Sequence, residues 1–85
     1  MWIVYVIQHT LDQRYYVGIT HRLRDRIAEH NRSGKHSTQR KEGQWVLIYA
    51  EAFRSKTDAS IREHRLKHHG SAFHELKRRI SNGSL

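Results

Sequence analysis

Along the chain, three runs alternate or cluster apolar residues at strand length, and three stretches repeat them at helical spacing. Trp2 to Gln8 is β-branched and aromatic, and Arg14 to Ile19 follows after the polar turn Leu11-Asp12-Gln13, so an antiparallel hairpin is expected. Trp45 to Phe53 supplies a third strand. Thr20 or His21 can cap a helix running to Arg32, whose apolar stripe is Leu23, Ile27 and His30 with Arg26 at its edge. Ser55-Lys56-Thr57-Asp58 has the form of a capping box opening a second helix, which Gly70 is expected to stop after His69. Ser71 would cap a third helix with Phe73, Leu76 and Ile80 on one side. Ser33 to Gln44 reads as a polar, basic loop, and residues 82–85 as a frayed tail. The pattern therefore predicts βαβ-type units in one domain over residues 1–81, with a three-stranded sheet covered by helices.

Period-two alternation assigns faces. Ile3, Tyr5 and Ile7 share one side of the first strand, and Trp2, Val4 and Val6 the other. In the second, Tyr16 and Gly18 oppose Tyr15 and Val17, and Gly18 permits a ligand or helix to come close to the backbone. In the second helix Ala59, Glu63 and Leu66 fall on one stripe, with Ile61 turned toward the last helix. A carboxylate on an apolar stripe costs several kcal/mol unless paired or bound to a cation. Glu63 is thus either a structural ion-pair partner of Arg26 or Arg62, or a metal ligand.

Composition narrows the partners. At 85 residues and 36% hydrophobic, the core must be small; the lack of cysteine removes disulfides, thiolate metal sites and cysteine nucleophiles together. Trp2 to Ile7 is too short for a signal peptide and no run approaches a membrane span, so a soluble protein of the cytoplasm is expected, at the nucleoid if the source is bacterial. Sixteen Lys and Arg against eight Asp and Glu leave a net charge of +8, with eight histidines besides. The excess lies in Thr20 to Lys41 and in Arg54 to Arg79, and such clustering favours a polyanion, above all nucleic acid. The Ser33-to-Gln44 loop, with Lys35, His36, Arg40 and Lys41, suits phosphate-backbone contact. Trp45 and Tyr49 have rings able to stack on bases, although packing in a strand core is their expected use. His64 and His68, one helical turn apart, lack a third ligand for zinc.

Tyrosine, arginine, histidine and a lone carboxylate make a set suited to hydrolysing a phosphodiester with one divalent cation. In order, Tyr5, Tyr16-Val17-Gly18-Ile19-Thr20, Leu23, Arg26, His30-Asn31, Gly34 and Glu63 resemble the GIY-YIG nuclease superfamily. The similarity is greatest to small standalone members related to the amino-terminal nuclease domain of an excinuclease, and it extends from Trp2 to about Lys67. The first motif reads Ile3-Val4-Tyr5 where the family has Gly-Ile-Tyr. His36 is the candidate for a second histidine found in some members.

That resemblance implies an α+β fold, a small three-stranded antiparallel sheet flanked by helices, and a metal-dependent DNA endonuclease, directed by structure or damage in its substrate. Tyr5 and Tyr16 match the two motif tyrosines, Arg26 the arginine that contacts phosphate, His30 the histidine one turn later, and Glu63 the ligand of one Mg²⁺ or Mn²⁺. Arg22, Arg24, Lys35, His36, Arg40, Lys41 and Lys67 would contact nucleic acid, DNA rather than RNA. A protein partner would supply the target choice that other members draw from an extra domain. The competing reading is a nucleic-acid-binding module that keeps the fold, cleaves little and acts with partners.

Overall fold

The chain folds as β1 (Trp2–His9), β2 (Tyr15–Thr20), α1 (Leu23–Ser33), β3 (Trp45–Phe53), α2 (Lys56–His68) and α3 (Gly70–Gly83). The computed structural model describes residues 1–33, 43–68 and 70–83. The three strands form an antiparallel sheet in the order β2-β1-β3, the α+β architecture the resemblance implies. Among the described residues no helix is long and apolar enough to cross a membrane.

The β1–β2 hairpin closes through His9 and Arg14, with Gln13 in the left-handed region at φ 63°. Asp12 stabilises this turn, its Oδ1 accepting from the Arg14 amide at 3.1 Å and its Oδ2 from Arg14 Nε at 2.7 Å. The register pairs Tyr5 with Gly18 and Ile7 with Tyr16, so both motif tyrosines lie on one face. On the other, Val4, Val6 and Val17 pack with Ala59 and Leu66 of α2 and Leu76 of α3 in the apolar core. Tyr15 continues that side, its ring 5.3 Å from Phe73 of α3 in an edge contact.

Strand β3 departs from simple alternation. Val6 pairs with Tyr49 but Ile7 with Leu47, leaving Ile48 unpaired in a β-bulge. The extra residue inverts the facing of everything before it. Trp45, opposite His9, therefore lies on the Tyr5 face, while Tyr49 and Glu51 lie on the core face. There Tyr49 donates to Glu51 Oε2 at 2.8 Å, and Arg62 of α2 donates through Nε to Glu51 Oε1 at 2.8 Å. The bulge also divides one expectation: Trp45 is not a member of the core cluster, whereas Tyr49 packs against it as expected, with its hydroxyl bonded to Glu51.

Helix boundaries differ in instructive ways. Thr20 Oγ1 accepts from the Arg22 amide at 3.0 Å, an elbow just ahead of α1, instead of capping a deeper helix amide. Ser55 Oγ accepts from the Asp58 amide at 3.2 Å, the forward half of the expected capping box. Gly70 does not end α2 in a left-handed cap: it opens α3, and Ser71 lies inside that helix. Ile61, expected against α3, is 49% exposed, because Ala59 and Leu66 already direct the buried face of α2.

Candidate functional site

Tyr5 is the centre of the site. It is fully buried in the middle strand, and its ring lies directly over Gly18 of β2. A Cβ at position 18 would stand 2.5 Å from the Tyr5 hydroxyl oxygen and 2.6 Å from Cζ, so no residue but glycine leaves the ring its place. The group that approaches this backbone is thus the first motif's own tyrosine, where the sequence suggested a ligand or helix.

Helix α1 covers this face and delivers its polar stripe. His30 Nε2 is hydrogen-bonded to the Tyr5 hydroxyl at 3.0 Å. Burial, then the nearby Arg26 charge, push the His30 pKa below the usual histidine value, Glu29 opposing. A neutral ring with Nε2 unprotonated accepts the hydroxyl proton. The Tyr16 ring is 4.6 Å from His30 and 6.3 Å from Tyr5, closing an aromatic triangle.

Two charges act on the same hydroxyl. Burial raises the Tyr5 pKa; hydrogen-bonding interaction with the Arg26 guanidinium opposes that rise, Tyr16 adds to it, Arg26's charge lowers it and Glu63 raises it. Arg26 is held more firmly protonated, first by its bond to Glu29 (Nη1–Oε1 2.8 Å) and then by Tyr5. Its side chain remains 43% exposed, within reach of a ligand.

Glu63 projects from α2 between the buried Ala59 and Leu66, with 21% of its side chain exposed. Its partner is Lys67, one turn on, whose Nζ lies 3.0 Å from Oε2 and 5.9 Å over the Tyr16 ring. Neither ion pair expected from sequence forms: Arg26 pairs with Glu29, and Arg62 with Glu51. A half-buried carboxylate held by one lysine suits a hard divalent cation that keeps most of its waters. Among the described residues no group of three His, Asp or Glu side chains gathers as a metal cage. His64 and His68 do meet, with ring centroids 4.4 Å apart, and no third ligand joins them among those residues.

The structure thus brings Tyr5, Tyr16, Arg26, His30, Glu63 and Lys67 to one site. Arg22, just ahead of α1, and Arg24, in its first turn, stand apart and exposed, Arg22 bound to Asp25 at 2.6 Å. Gly34, Lys35, His36, Arg40 and Lys41 lie outside the described residues. Sequence reasoning did not find that Trp45 borders this site, with its centroid 6.3 Å from His30 and 6.4 Å from Tyr16.

Residues 1–77 match the GIY-YIG catalytic domain. The chain belongs to the GIY-YIG family. Two relatives carry the same resemblance over most of its length. UPF0213 protein DP2720 of Desulfotalea psychrophila is 39% identical over 67 residues, covering 78% of this chain but 60% of that protein. UPF0213 protein VNG_2274C of Halobacterium salinarum is 39% identical over 64 residues, covering 75% of this chain and 82% of its own length. No solved structure matches. The family assignment makes residues 1–77 a GIY-YIG catalytic domain, and the chain spans 60% of the length of the first of these relatives. It also gives the two motif glycine positions different physical weight. Gly18 is required by the ring above it, whereas Ile3 takes the first motif's glycine position opposite Thr20.

Proposed function

We propose that this GIY-YIG domain is an endonuclease that hydrolyses DNA phosphodiester bonds with one bound Mg²⁺ or Mn²⁺, preferring structured or damaged DNA. The observation that carries this reading is the 3.0 Å Tyr5–His30 hydrogen bond, set where Arg26 and Glu63 both act on the same hydroxyl. In the proposed reaction His30 Nε2 takes the Tyr5 proton, and the phenolate takes one from the attacking water. Burial works against a phenolate, so the cations at the site have to favour it. Arg26 binds a non-bridging oxygen and offsets the charge that grows as water adds. Tyr16 positions the water or the phosphate; the two tyrosine roles can be exchanged without altering the rest. Glu63 would hold the divalent cation, which when bound orients the phosphate and neutralises charge on the leaving oxygen.

Arg22, Arg24, Lys67 and the basic residues Lys35, His36, Arg40 and Lys41 are proposed to contact the backbone of the same DNA. A protein partner is proposed to supply target choice, and the cytoplasm is the proposed site of action. One observation favours the second reading, a binding module that cleaves little: Lys67 already occupies Glu63 Oε2. Nicking of supercoiled plasmid and branched DNA separates the two. Metal-dependent nicking that is lost in Glu63→Gln and Arg26→Ala is the expected result. Salt-sensitive binding with no cleavage of any substrate supports the module instead.

A further inference from the structure

Trp45 is placed with more care than a surface indole needs. Its backbone is gripped at both ends by one side chain of α1: Asn31 Oδ1 accepts from the Trp45 amide at 2.8 Å, and Asn31 Nδ2 donates to its carbonyl at 3.3 Å. The preceding residue is tied to the hairpin, Gln44 donating to Thr10 Oγ1 and accepting from the Thr10 amide, each at 3.0 Å. The bulge after Leu47 then sets the ring on the reactive face.

The company this ring keeps is not that of a core residue. His9 meets it edge-on at 5.1 Å, the Arg14 guanidinium lies over it at 5.4 Å, and Tyr16 and His30 close its inner side. It is half-buried, so part of the indole faces solvent beside the Tyr5–His30 pair. A planar cation over a half-buried indole is chemistry that a nucleobase can share, since every base has a π-face and Arg14 supplies charge for the adjoining phosphate.

We propose that Trp45 is a stacking platform for an unpaired nucleobase of the DNA strand being acted on, with Arg14 against the neighbouring phosphate. The proposal rests on the nucleic-acid reading above and sharpens it. A base must leave its stack to reach the indole, so single strands, flaps and bulges bind better than closed duplex. Stacking is tolerant of sequence, so the preference is for structure rather than for a base order.

The chain has two tryptophans, so a Trp2→Phe background leaves Trp45 as the sole indole. Glu63→Gln is added, and binding is followed without metal, by indole emission and by the anisotropy of a labelled strand. A short oligothymidylate is compared with an abasic strand of equal length. The expected result is quenching by oligothymidylate, with the abasic strand bound about fivefold to about a hundredfold more weakly. Trp45→Ala should bind oligothymidylate as weakly as the abasic strand, and Trp45→Phe should recover part of the loss. Equal binding and quenching by both strands, or a folded Trp45→Ala that binds as tightly as its parent, overturns the proposal. If Trp45→Ala does not fold, the abasic comparison and Trp45→Phe decide. Base-dependent quenching in a chain that nicks no substrate supports the platform while overturning the nuclease reading. Nicking by the unmodified chain without base-dependent quenching does the reverse.

Discussion

The two faces of β1 are equally buried and chemically opposite. Val4 and Val6 on one side, Tyr5 and Ile7 on the other, are all fully withdrawn from solvent. The Val4 side meets Ala59, Leu66 and Leu76, which need only volume and apolar surface from each other. The Tyr5 side meets His30 and Gly18, which need a hydroxyl at one distance and an absent Cβ at one position. Burial on the first face stabilises the domain, while on the second it adjusts proton affinities. One small sheet thus separates stability from chemistry by nothing more than strand pleat.

That separation can be broken from either side. Tyr5→Phe removes only the hydroxyl, so the domain should stay folded while cleavage falls by about 10²–10⁴-fold, as loss of a general base does. Single-turnover nicking together with a circular-dichroism melt reads both at once, and an equal loss of stability would show that the faces are not independent. Leu76→Ala should do the opposite, costing about 2–5 kcal/mol in urea unfolding with little change in cleavage by the molecules still folded. Gly18→Ala straddles the two. Its methyl group displaces the Tyr5 ring at a cost of about 1–3 kcal/mol, and should abolish nicking even in the folded fraction.

The smallest effect is a pH dependence. His30 has its folded pKa lowered, by burial and then by Arg26. The unfolded chain therefore binds the proton more readily. The stability from this group is fully present above the unfolded value of about 6.5 and is lost as pH falls toward the folded one. Urea midpoints should decline across that window, and His30→Gln should flatten the decline. An unchanged slope in His30→Gln would assign it to other groups.

Much of this was legible before any fold was known. Alternation put Tyr5 on one face of β1 and Tyr16 with Gly18 on one face of β2, and the helical stripe set His30 and Arg26 near the sheet; the register of β1 on β2 then put both tyrosines on the same side. Glu63 and Lys67 are four residues apart, so their 3.0 Å ion pair follows from helix geometry, although the sequence reading offered Glu63 only an arginine or a metal ion. The partners across elements were the part that misled, since a long side chain on a stripe can reach several neighbours. Arg62 turned to Glu51, whose facing depends on β3 register.

Sequence alone determined the elements, the first hairpin and the basic, cysteine-free character, because these depend on local periodicity and on composition. It also carried the family resemblance, through residues whose order survives without knowledge of their contacts. Only the tertiary structure decided that Gly18 makes room for Tyr5, and that Trp45 and Tyr49 look in opposite directions. Strict alternation puts residues 45 and 49 on one face; a single unpaired residue, Ile48, parts them. A bulge arises from how two strands must pair while both bury their apolar sides, a condition set between segments some forty residues apart and invisible within either one.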